Sequence, residues 1–166
     1  MKFWQIGFGA IMMSLSAAPL LAEAQQKTLF QHKNWMVAVN VFDDGAMACQ
    51  AAVDEGAESF TIWVMQDKSV RLQFFSTDWD FNSNDTADLQ LEVDRRGHWN
   101  LNEASLTKNS ILFDLPDSDK GVNFLVEVAE GRTAHLRDAS GDGLRDYPLA
   151  GSKASMSALI ECADAL

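Results

Sequence analysis

The sequence is poor in cysteine, histidine and positive charge, and each shortage narrows what the protein can be. Three histidines, His32, His98 and His135, stand far apart, with no pair at the i, i+4 spacing of a helical metal site. No Gly-x-Ser-x-Gly elbow and no phosphate-cradling glycine loop occurs, so serine-hydrolase and nucleotide-binding chemistry lack their usual signals, and no cofactor is expected. Thirteen basic residues face 24 acidic ones, a net charge of -11, which repels nucleic acid and anionic membrane surfaces. The same surplus would attract a basic partner, or simply keep the chain soluble. Two cysteines, Cys49 and Cys162, exclude a disulfide-dense scaffold.

Long apolar runs are missing too, except at the start. Lys2 precedes an apolar segment from Ile6 to Ala18, interrupted at Pro19 and followed by Ala22-Glu23-Ala24. This is the layout of a secretory signal peptide cleaved after Ala24; the alternative, an uncleaved anchor, would need an apolar run of about 20 residues. Removing Lys2 and Glu23 leaves the net charge at -11. Residues 25–166, roughly 140 of them, then form a single β-rich domain large enough to bury a core without metal. In an exported chain the two cysteines most simply bond to each other, two free thiols or an intermolecular bridge being the alternatives. No span crosses a membrane once the signal is removed, and a periplasmic or secreted location follows.

What the mature chain has in quantity is alternation. Trp35, Val37, Val39 and Val41 share one face of a strand, Asp43-Asp44-Gly45 turns the chain, and Met47, Cys49, Ala51 and Val53 share a face of the returning strand. A second hairpin is predicted from residues 59–66 and 70–75, and further strands at 87–94, 98–101, 104–107, 111–115, 132–137 and 144–149. Residues 25–33 read as a polar lead-in and 76–86 as a long irregular loop. Between 117 and 131 helix and strand patterns compete, with acidic residues ahead and Gly131 behind favouring a helix. The ending is clearer: Gly151 turns the chain, Ser152 can cap, and Met156, Leu159, Ile160 and Ala163 form a helical stripe with Cys162 at its edge. The fold class is therefore mainly β: an antiparallel β-sandwich or barrel of about seven to nine short strands, with a C-terminal helix and a second helix near 119–130.

Two stretches could hold a ligand. Asp78, Trp79, Asp80, Phe81, Asp85 and Asp88 surround an indole with carboxylates, a surface for a cation, a sugar or a basic side chain. The alternative is that Trp79 and Phe81 cover one end of a β core while the acids face water. Asp138, Ser140, Asp142 and Asp146, with Gly143 at the sixth position, match the front of a calcium loop. Leu149 stands where that loop needs a bidentate glutamate, and Asp with Gly is equally what a tight hairpin requires.

With its signal peptide, Trp35 opening the first strong strand, Cys49 in the next and the ending from Pro148 to Cys162, the chain resembles small exported alphaproteobacterial proteins of the invasion-associated locus B family. The resemblance implies a β-rich exported protein acting at the cell envelope or in host contact, and it transfers no catalytic residue. The sequence thus favours a non-enzymatic domain that binds another protein or envelope component, with an inhibitor of a basic enzyme such as a lysozyme as runner-up and a hydrolase with an unrecognised site third.

Overall fold

The computed structural model describes residues 25–116 and 118–166, so the signal-peptide reading of residues 1–24 lies outside the described residues. Ten strands and two helices follow in the order β1 (Gln25–His32), β2 (Trp35–Val41), β3 (Met47–Asp54), β4 (Glu58–Met65), β5 (Val70–Ser76), β6 (Phe81–Val93), β7 (His98–Lys108), β8 (Ser110–Asp114), α1 (Ser118–Glu130), β9 (Thr133–Asp138), β10 (Gly143–Pro148) and α2 (Ser152–Asp164). The fold is mainly β and antiparallel with a C-terminal helix, as expected, and the ambiguous stretch before Gly131 is helix α1.

All ten strands belong to one sheet in the order β1-β2-β3-β4-β5-β8-β7-β6-β9-β10, which does not close into a barrel. It curls on itself instead. Tyr147 on β10 lies against Phe60 on β4 and Phe74 on β5, with ring centroids 5.6 and 5.8 Å apart, although these strands are far apart in the sheet order. The two halves therefore face each other as the layers of a sandwich would. Two strands lie where the sequence suggested none: β1, the supposed lead-in, and the first half of β6, part of the supposed loop. Both are exposed on nearly every residue, so neither shows the inside-outside alternation that marks a half-buried strand.

The concave face is filled by alternate residues of both halves and by the helices. α2 lies across β1 to β4 and buries Met156, Leu159, Cys162 and Ala163. Cys49 on β3 and Cys162 on α2 are bonded, their α-carbons 6.0 Å apart across 113 positions of sequence. Ile160, expected on the buried stripe, is 43 % exposed: the disulfide turns Cys162 inward and Ile160 toward the rim. Nor does Ser152 cap α2. The N-cap is Gly151, whose φ of 104° is costly for any side chain, and the Ser152 hydroxyl donates instead to the carbonyl of Val128, 2.8 Å away. That carbonyl lies in the last turn of α1, where it also accepts the N–H of Gly131 at 3.3 Å, and the serine ties the two helices together. α1 packs on the other half, with Phe124 edge-on to Trp99 of β7 at 5.4 Å. At Gly131 a β-carbon would collide with Val93 and Leu149, so glycine there lets the chain leave α1 tight against the sheet.

Three aspartates brace the turns. Asp94 accepts the backbone N–H groups of Arg132 and Thr133, both at 3.0 Å, joining the end of β6 to the start of β9. Asp67 accepts the hydroxyl and N–H of Ser69, and Asp138 the hydroxyl and N–H of Ser140 and the N–H of Asp142. Each carboxyl is held below its ordinary value of 3.8, chiefly by the backbone N–H of Arg132 for Asp94 and by the serine hydroxyls for the other two. A depressed folded-state pKa contributes stability that is present above the unfolded value and lost as pH falls through the folded one. Thermal melts are accordingly expected to be flat from neutrality down to about pH 4.5 and to fall below pH 4. The Asp94→Asn variant should show a shallower acid slope than wild type; an identical slope would remove Asp94 from this account.

Candidate functional site

The residues suggested by the sequence do not converge. Asp78 and Trp79 lie in the short connection between β5 and β6, where Arg145 of β10 meets both: its guanidinium sits 3.2 Å from the Asp78 carboxylate and 5.7 Å from the centre of the Trp79 ring. Trp79 and Phe81 pack together at 5.5 Å and against the core, covering one end of it. Asp80 is exposed. Asp85 accepts a hydrogen bond from the Asn82 amide, and Asp88 accepts the backbone N–H of Glu103 on β7. These acids are divided between the connection, with Asp78 and Asp80, and strand β6, with Asp85 and Asp88, instead of gathered in one loop.

The glycine-rich loop between β9 and β10 is similarly occupied with its own geometry. One oxygen of Asp138 already takes three donors within the turn, and Asp146 lies in β10, where its carboxylate is 2.7 Å from Nδ1 of His135. Among the described residues no group of three or more His, Cys, Asp or Glu side chains is placed to hold a metal ion. Millimolar calcium is therefore expected to leave the melting temperature within a degree or so of its calcium-free value. A rise of several degrees, the signature of a ligand that binds only the folded state, would reinstate the loop as a site.

A different feature is a recess between two strands, and it arises from strand register. β8 pairs with β5 at all five of its residues, and β7 pairs with β6 along most of its length. Between them β7 and β8 share only three paired positions, Ser105 with Leu112, Leu106 with Ile111 and Thr107 with Ser110. Beyond Ser105 and Leu112 the two strands part. The cause lies at Asn102 and Glu103, two residues of β7 set against the single Asp88 of β6 where the register shifts. Glu103 has a φ of 56°, and its freed N–H is the one taken by Asp88. Such a bulge sharpens local twist, so β7 follows β6 away while β8 stays with β5. The break read in the sequence between Leu101 and Ala104 is this bulge.

The opening holds two hollows of about 340 and 410 Å³ that share Asn102, Phe113 and Asp114 in their walls. Arg71, Glu103, Ser105 and Leu112 complete the inner one; His98, Trp99, Asn100, Leu115, Pro116 and Lys120 complete the one at the mouth. Trp99 is fixed in place, since its indole N–H donates to Glu127 at 2.9 Å while its ring meets Phe124. In the wall of the first hollow Arg71 grips Asp114 through two parallel bonds of 2.6 and 2.9 Å, which raises the guanidinium pKa further. A wider hollow of about 560 Å³ lies beside Asp94, Arg95, Arg132, Thr133 and His135, but it is bordered by turns, and its carboxylate is spent on the backbone. The cleft between β7 and β8 combines an apolar floor, a polar rim and strand edges with a neighbour on one side only, which suits the capture of a ligand. No family model, no curated protein and no solved structure matches this chain.

Proposed function

We propose that the protein is an exported, non-enzymatic binding domain of the cell envelope, and that it holds its partner in the cleft between β7 and β8. The observation that carries this reading is the parting of the two strands beyond Ser105 and Leu112, which leaves a recess lined by residues of both strands. The disulfide between Cys49 and Cys162 supports an oxidising compartment, in agreement with the signal-like residues 1–24. No described helix is long and apolar enough to cross a membrane. The resemblance to exported proteins of the invasion-associated locus B family supports the envelope setting. The net charge of -11 supports a basic partner and keeps inhibition of a basic enzyme as a second reading.

Site-specific photocrosslinking in the exported protein tests the proposal. A photoreactive residue at Asn100, on the cleft mouth, should capture a discrete envelope component, whereas the same group at Asp80, on the connection between β5 and β6, should not. Adducts from Asp80 alone would move the contact surface and overturn the assignment to the cleft. Affinity that collapses between low and moderate ionic strength would favour the inhibitor reading, because salt screens exposed charges.

A further inference from the structure

Resting on that reading, we infer that the occupant of the cleft is an extended polypeptide segment that adds as a strand along the edge of β7, with basic side chains turned to solvent. A strand edge presents backbone N–H and C=O groups that an incoming chain can pair with, and proteins usually cover or break such edges when nothing is meant to bind. Here the residues of β7 on the mouth side of Ser105 have β6 on one flank and no strand on the other, and Phe113 and Asp114 have β5 alone. The lining matches the period of a strand. Trp99, Phe113 and Leu115 lie toward the core, while Asn100, Asn102 and Asp114 stand at the rim, so alternate side chains of an added strand would meet apolar floor and polar surroundings in turn.

Length and charge narrow the occupant further. The free edge from His98 to Asn102 accommodates about five residues at roughly 3.3 Å each. The chain as a whole carries a net charge of -11, Arg71 already matches Asp114 at the rim, and Glu103 stands exposed beside the edge, which favours lysine or arginine at the outward position facing it. A sugar is the less suitable guest. Stacking on it would need an open aromatic face, and the Trp99 ring is already packed against Phe124.

Hydrogen exchange of the full exported chain tests this with three probes: a pool of eight-residue peptides alternating apolar and basic residues, the same pool N-methylated at alternate backbone nitrogens, and a peptidoglycan disaccharide. The unmodified pool should slow amide exchange at residues 99–102 and 113–114, and N-methylation should weaken binding at least tenfold. Equal binding of the methylated pool, or protection elsewhere, would overturn strand addition while leaving a crosslink from Asn100 to stand for the cleft itself. Protection of the cleft by the disaccharide and not by peptides would replace the polypeptide with a sugar. If no probe changes exchange at the cleft, the inference fails, and if Asn100 also captures nothing, the wider proposal fails with it.

Discussion

Replacing both cysteines with alanine, Cys49→Ala together with Cys162→Ala, is expected to lower the unfolding free energy by about 4–5 kcal/mol. For a domain of this size that corresponds to a fall of about 15 °C in melting temperature. The size of the effect follows from the sequence separation of 113 between the two residues, because a crosslink restricts the unfolded chain more as the loop it closes grows. The folded state should change little. α2 keeps its apolar face of Met156, Leu159 and Ala163 against the sheet and its tie to α1 through Ser152 and Val128. Far-ultraviolet circular dichroism of the variant should therefore match wild type at 20 °C, while urea melts should show the reduced midpoint. Reducing the wild-type protein should reproduce the variant. A loss under about 1 kcal/mol would mean that α2 docks independently of the bond and that the unfolded chain is already compact.

That bond was legible in the sequence because two facts sufficed: two cysteines in a chain with a signal-like start, one on the inward face of an alternating strand. The strands of the concave face were legible for the same reason, since Val37, Cys49, Ile62, Leu72, Leu91 and Leu136 each recur with a period of two and are all buried. What escaped lacks that period. β1 and the outer half of β6 are edge-like and wet on both faces, so Asn82, Ser83 and Asn84 read as loop residues although they lie in a strand. Ile160 fitted the stripe by spacing alone, and only the position of Cys162 decides which side of α2 faces the sheet. What the candidate sites' side chains touch was not legible, for a physical reason. Asp138 and Asp78 carry the residue types of a ligand site, yet their partners, Ser140 and Asp142 in one case and Arg145 in the other, are contacts that composition does not reveal. The cleft depends on register, a property of four strands at once. Its one sequence trace was the interruption at Asn102 and Glu103.

Arg145→Ala is expected to cost about 2–3 kcal/mol, because this side chain latches the two facing halves of the curled sheet. From β10 it reaches across to the other half, where the Glu58 carboxylate of β4 lies 2.5 Å from its Nε, off the direction of the N–H, so the attraction is Coulombic more than a formed hydrogen bond. Its other nitrogens donate to Asp78 at 3.2 Å and to the carbonyl of Leu144 at 2.9 Å. Arg145 and Glu58 are 26 % and 28 % exposed, which is enough burial for an abandoned Glu58 to be costly. Asp78, at 73 %, adds little. The double variant with Glu58→Gln should therefore recover about 1–2 kcal/mol of the loss, since no bare charge then remains. Tyr147→Phe separates charge from stacking at the same place. The phenol is fully buried with no hydrogen-bond partner among the described residues, and burial followed by the nearby Glu58 pushes its pKa up, so its hydroxyl contributes nothing that phenylalanine lacks. This variant should stay within about 1 kcal/mol of wild type or exceed it, its ring still packed against Phe60 and Phe74. If Arg145→Ala melts with wild type while Tyr147→Phe does not, the halves are held by a polar contact of the phenol and the charged latch is wrong.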